Sequence, residues 1–141
     1  MSRDPTKLKL FHLADGLAVQ VYRVTRGFPV EERYGLQGQL RRTAVSVPTN
    51  VVEGSARNSE KDYLHFVDVA IASASEVRYL LGLSARLGIL RSADEEPLVS
   101  RYDDLIRGLP KALERAPASE AWSLRSEAFM LRTRSSPGVT K

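Results

Sequence analysis

The chain has 141 residues, 43% of them hydrophobic, with 21 basic and 17 acidic side chains, a net charge of +4 and no cysteine. These totals describe one folded domain with a small core, a size at which oligomerisation often supplies further burial, and they exclude a disulfide framework or a thiolate metal site. The positive surplus, with a sequence pI near 9.6, permits contact with a polyanion without requiring it, and no basic run of nuclear-localisation type occurs.

The first segment, MSRDPTKLKLFHLADG, has charges scattered through it and lacks the form of a signal peptide, so a cytoplasmic protein is expected. From about Pro5 to Arg26, Leu10, Leu13, Leu17, Val21 and Val24 recur at spacings of three and four, which predicts one face of a helix. Gly27, Phe28 and Pro29 stop it. A second helix is predicted over about 30–57. Glu31 and Glu32 would lie in its first turn, where acids favour the helix dipole, and Leu36, Leu40, Ala44, Val47 and Val51 would form its core stripe.

The third helix, about 59–88, opens on Ser59 with Asp62 three residues on, a variant of the capping box, and stops at Gly88. Tyr63, Val67, Ala70, Ala74, Val77 and Leu81 mark one face, and Phe66, Ile71, Leu80, Leu83 and Leu87 widen it. That breadth predicts burial from several sides. Its uncharged runs are too short to span a bilayer. The fourth helix, about 92–114, has Ser92 and Glu95 in capping-box positions and Leu98, Tyr102, Leu105, Ile106 and Leu109 as its stripe. Pro110 threatens to end or kink it early. Residues 117–141 read as a partly disordered tail in which Trp122, Leu124, Phe129 and Leu131 could form a short docked helix. Four helices with short connections make an all-α, antiparallel up-down four-helix bundle the default.

The second helix carries a fault. Arg42, Ser46, Asn50, Glu53 and Arg57 share one side, and Val45, Pro48 and Val52 form an apolar row apart from the core stripe. One explanation is that this extra row meets another subunit, with the polar row near an interface or cleft. The other is that the valines are simply exposed and the charges form a solvated face. Pro48 removes a backbone donor and crowds the Ala44 carbonyl. It either kinks one helix, with Asn50 or Arg42 able to reach the freed carbonyl, or marks the junction of two shorter ones. Glu53 and Arg57 have the spacing of a helical ion pair, worth about 0.3–0.5 kcal/mol at a surface.

Little points to catalysis. Glu53, Glu76 and His65 could be imagined in acid–base roles, but nothing pairs a base with a nucleophile. His12 and His65 are the only histidines, and the Glu-x-x-His spacing of bundle di-iron sites is absent. Asp62 and His65 are one turn apart, a weak metal pair at best. No catalytic, cofactor-binding or metal-ligating set is expected. Gly35 and Gly38 are too sparse for a phosphate loop.

The stretch FPVEERYGLQGQLRRTAVSVPTNVVEGSARNS, Phe28 to Ser59, resembles the signature of the four-helix-bundle family that includes proteins encoded in 23S rRNA intervening sequences. The matching positions include Phe28, Pro29, Glu32, Tyr34, Gly35, Leu36, Gln39, Arg41, Arg42, Ser46, Pro48, Asn50, Glu53, Gly54, Arg57 and Ser59. ADGLAVQVYRVT resembles the family's first helix, with Phe11 where a tryptophan is common. VAIASASEV and LGIL resemble its third helix and end, with Ala72 for a usual glycine and Ile89 for a usual tyrosine. The resemblance covers about residues 10–110 and not the tail.

It implies a bundle assembling into a homo-oligomeric ring, most often a pentamer, and a distant similarity to the accessory protein of diversity-generating retroelements. That protein is a basic ring-forming bundle that binds reverse transcriptase and nucleic acid. The resulting expectation is a non-enzymatic oligomeric adaptor contacting RNA, DNA or a nucleic-acid enzyme, with Arg41, Arg42 and Arg57 as candidate contacts. The alternative is a protein–protein interaction module in which Arg42, Asn50, Glu53 and Arg57 hold the ring together. Neither reading involves a membrane, a cofactor or a small-molecule substrate.

Overall fold

Leu10, Ala14, Leu17 and Val21 are all buried, so the first apolar stripe faces inward as its spacing requires. The computed structural model describes residues 5–113. Over these it is wholly helical: α1 (Pro5–Thr25), a short 3-10 turn (Val30–Glu32), α2 (Leu36–Ser55), α3 (Glu60–Arg86) and α4 (Ser92–Leu113). The expected tail, 117–141, lies outside the described residues. Each helix packs on its neighbours in the chain, and α4 returns to α1. One cluster of buried side chains joins all four. No helix among the described residues is long and apolar enough to cross a membrane.

The second helix starts later than its acids suggest. Val30, Glu31 and Glu32 form the 3-10 turn, and the α-helix begins only at Leu36. From there Leu36, Leu40, Ala44, Val47 and Val51 are buried together. The helix continues through Pro48 to Ser55, so the proline does not divide two shorter helices. Asn50 does not serve the Ala44 carbonyl. Its amide donates to the Ser46 carbonyl at 2.7 Å and to the Ser46 hydroxyl at 2.9 Å.

In α3, the Ser59 hydroxyl accepts from the Asp62 backbone N–H, the first half of the predicted capping box. Val67, Ala70, Ala74, Val77, Leu80 and Leu81 are buried. The breadth of its apolar surface is only partly covered, since Leu87 is 59% exposed beyond the helix end. Gly88 takes the left-handed conformation at φ 73°, and the Ile89 and Leu90 N–H groups bond back to the Ser84 carbonyl. That is how a glycine closes a helix.

At α4 the predicted capping box does not form. Ser92 is already helical, and the Arg91 carbonyl accepts from the Asp94 and Glu95 N–H groups. Arg91 thus stands at the position where the helix begins, one residue before the serine that was expected there. Pro110 does not end α4, which continues to Leu113.

Tyr102 is wholly buried, and no group among the described residues hydrogen-bonds its hydroxyl. An orphaned buried hydroxyl costs about 1–3 kcal/mol. Tyr102→Phe is therefore expected to stabilise the fold by about 1 kcal/mol in urea unfolding at neutral pH. Burial also raises the phenol's pKa above its ordinary value. The sign follows: below about pH 10 both states hold the proton, and above it the unfolded chain ionises first. Wild-type stability should fall as pH rises past that point, and the phenylalanine variant should lose less.

Candidate nucleic-acid interface

A helix ends with carbonyls that lack intrahelical partners and with a partial negative charge. The end of α1 is served from α2. The Gln37 side-chain amide donates to the Thr25 carbonyl at 2.7 Å. Arg41 Nε donates to Thr25 Oγ1 at 2.9 Å, and Arg41 Nη2 to the Tyr22 carbonyl at 3.1 Å. The Arg41 guanidinium also lies 4.6 Å from the centroid of the Tyr22 ring. Thr25, itself wholly buried, donates its hydroxyl to the Val21 carbonyl at 2.7 Å.

The connection between the helices is fixed as closely. Phe28 is buried and pins the turn. Glu32 Oε2 accepts from the Leu36 N–H at 2.9 Å and so holds the first turn of α2 from outside the helix. Gly35 makes room for this, since a Cβ there would come within 2.5 Å of that oxygen. A Cβ on Gly38 would stand 2.9 Å from the Arg33 carbonyl oxygen, so the turn lies directly against α2.

These ties leave a cleft of about 530 Å³ lined by Tyr22, Arg26, Arg33, Gln37, Gly38, Arg41 and Arg42. Four of the seven are arginines, and no carboxylate lines it. Arg26, Arg33 and Arg42 are exposed, and no hydrogen bond or ion pair among the described residues holds their guanidinium groups. Gathering like charges is unfavourable until an anion offsets them. Guanidinium forks match phosphate oxygens in both charge and geometry. The cleft is therefore suited to hold phosphate.

The predicted polar row is divided by the structure. Arg42 stands at the cleft, its Nη1 over Gly38. Ser46 sits in the α2–α3 seam, with its hydroxyl 3.0 Å from that of Ser73 and with Asn50 behind it. Glu53 is exposed. Arg57 lies beyond the end of α2, with its guanidinium 4.5 Å from the Phe66 ring centroid. The expected Glu53–Arg57 pair does not form, because Arg57 has left the helix whose repeat would have brought it beside Glu53. Arg57 is also separated from Arg42 by about 20 Å of helix, so it does not join the cleft.

The second apolar row is mostly covered by the chain itself. Pro48 is buried and Val52 is partly buried against the core, while Val45 remains 41% exposed. Sequence reasoning found Arg41 and Arg42 but missed Arg26, Arg33 and Tyr22. The available signal was two arginines flanking the Gly-Phe-Pro turn, which brings both to the corner where α2 begins. Among the described residues, no three His, Asp or Glu side chains converge as metal ligands would.

The model of the 23S rRNA-intervening sequence protein family matches residues 6–111. The chain belongs to this family. Among curated proteins no sequence matches it. It is similar to a crystal structure of a protein of unknown function from the S23 ribosomal protein family of Bacteroides thetaiotaomicron. The TM-score is 0.72 at 17% identity, over 78% of this chain and 99% of that one. At that identity the likeness concerns the fold. The stretch Phe28 to Ser59, within the matched residues, contains structural ties of the cleft: Phe28 in the turn, Glu32 and Gly35 before the start of α2, and Arg41 reaching from α2 to the end of α1.

Proposed function

We propose that this member of the 23S rRNA-intervening sequence family is a non-enzymatic adaptor that holds nucleic acid in the cleft between α1 and α2. The observation that carries the reading is the set of Arg26, Arg33, Arg41 and Arg42 around one concavity without an opposing acid. The positive net charge supports it. Of the contacts expected from sequence, Arg42 reaches outward. Arg41 divides its donors between the end of α1 and the cleft, and Arg57 belongs to a separate surface. The chain acts as an antiparallel up-down bundle in a cytoplasmic homo-oligomeric ring. Exposed Val19 and Val45 offer apolar area for the contacts between copies. The number five follows from the sequence resemblance alone.

The test combines mass in solution with binding to labelled RNA and DNA over a range of salt. The expected result is an oligomer whose log affinity falls linearly with log salt, since each phosphate contact releases counterions. A monomer, or the absence of binding at low salt, would overturn the corresponding half of the proposal. Recovery of a protein partner undiminished by nuclease would favour the interaction-module alternative.

A further inference from the structure

The cleft is not lined by arginines alone. Tyr22 forms part of its wall and is 43% exposed, with the Arg41 guanidinium over its ring. Tyr34, next to Arg33 in the chain, is 88% exposed. A duplex directs its bases inward and shows a phosphate surface, which the arginines alone would satisfy. An exposed aromatic ring with a guanidinium over it has a different complement, the face of an unpaired base. The concavity, about 530 Å³, is open to solvent along much of its boundary.

We infer that the cleft receives an unpaired nucleotide of a single-stranded nucleic acid, its base stacked on the Tyr22–Arg41 pair and its flanking phosphates on Arg26, Arg33 and Arg42. This rests on the nucleic-acid reading above and adds the structural class of the ligand. Arg41 has a double role here. Two of its N–H groups hold α1, and its guanidinium carbon lies over the Tyr22 ring, 4.6 Å from the centroid, where the cation can add to a stack built on that ring. Stacking of this kind tolerates any base, so the preference is for strandedness and not for sequence.

The test uses the full chain and three labelled probes of roughly 12 nucleotides, a length within the usual span of single-strand sites. These are a single strand, the same strand as a duplex, and an abasic strand that keeps every phosphate. Binding is read by fluorescence anisotropy across a salt series. The single strand is expected to bind at least about fivefold more tightly than the abasic strand, the smaller end of what one stacked base contributes. Tyr22→Leu should erase that difference and leave the salt slope unchanged, and Tyr22→Phe should keep it. Circular dichroism and thermal melting of both variants show whether the fold is intact. Equal binding of all three probes, or a Tyr22→Leu variant that still distinguishes the abasic strand, would overturn the inference while leaving the nucleic-acid reading in place. Failure of every probe to bind would remove both.

Discussion

Replacing Arg26, Arg33 and Arg42 together by alanine is expected to lower affinity for single-stranded RNA or DNA by about a hundredfold near 0.1 M salt. The loss follows from counterion release. Each contact to a single strand contributes a slope of about 0.7 in log affinity against log salt, or about fivefold at a tenth of molar salt. Three such contacts multiply to the stated loss, and the slope itself should fall by about two. The fold should be unaffected. All three side chains are exposed and engage no partner among the described residues, and surface changes of that kind usually stay within about 0.5 kcal/mol. Relief of like-charge repulsion would, if anything, raise the melting temperature. A triple variant that melts normally and still binds with the wild-type slope would show that the contacts lie elsewhere, with Arg57 the next to be tested.

Arg41→Ala is expected to have the opposite profile, with a destabilisation of about 2–3 kcal/mol in urea unfolding. The change removes donors from Thr25 Oγ1 and the Tyr22 carbonyl, and the cation lying over the Tyr22 ring. Hydrogen bonds to a charged group are worth about 1.5–3 kcal/mol each when buried. Arg41 is only partly buried and its bond to the Tyr22 carbonyl is exposed, so water replaces part of the loss and the total falls below the sum of two such bonds. Arg41→Lys should recover little of it, because an ammonium on a flexible stem lacks the planar fork that sets both bonds and the contact with the ring at once. The neighbouring Arg42→Ala is the control, expected to change stability by less than about 0.5 kcal/mol. If the two variants proved equally stable, Arg41 would not be the tie that the hydrogen bonds suggest.

The contrast between these adjacent arginines marks what a sequence can and cannot disclose. Both were legible as members of a basic pair on a helix. Their different duties depend on which one faces the end of α1, and that follows from how two helices meet. The stripes of α1, α2 and α3 were legible because burial imposes the helical repeat directly on the order of residues. The cap at Ser59 was legible because its partner is three residues away. The start of α2 was not. Glu32 does favour that helix start, but from a 3-10 turn outside it, and an acid inside the first turn gives the same local pattern. Arg57 shows the same limit, since the spacing that predicts a pair with Glu53 holds only while both belong to one helix. The cleft itself was hidden because Arg26 and Arg33 come from the two sides of a turn, and helical periodicity carries no information across a turn.

The corner built by Glu32, Gly35 and Arg41 also bears on speed. Its walls are tied to one another by internal bonds, so an arriving strand does not first have to assemble them. If the cleft binds nucleic acid as proposed, encounters would succeed at a rate governed by the field of the uncommitted guanidinium groups, which would draw a polyanion in from beyond contact distance. Added salt would slow arrival long before it altered the shape of the receptacle, and the time course of capture, followed by rapid mixing, would carry the imprint of a preformed lodging.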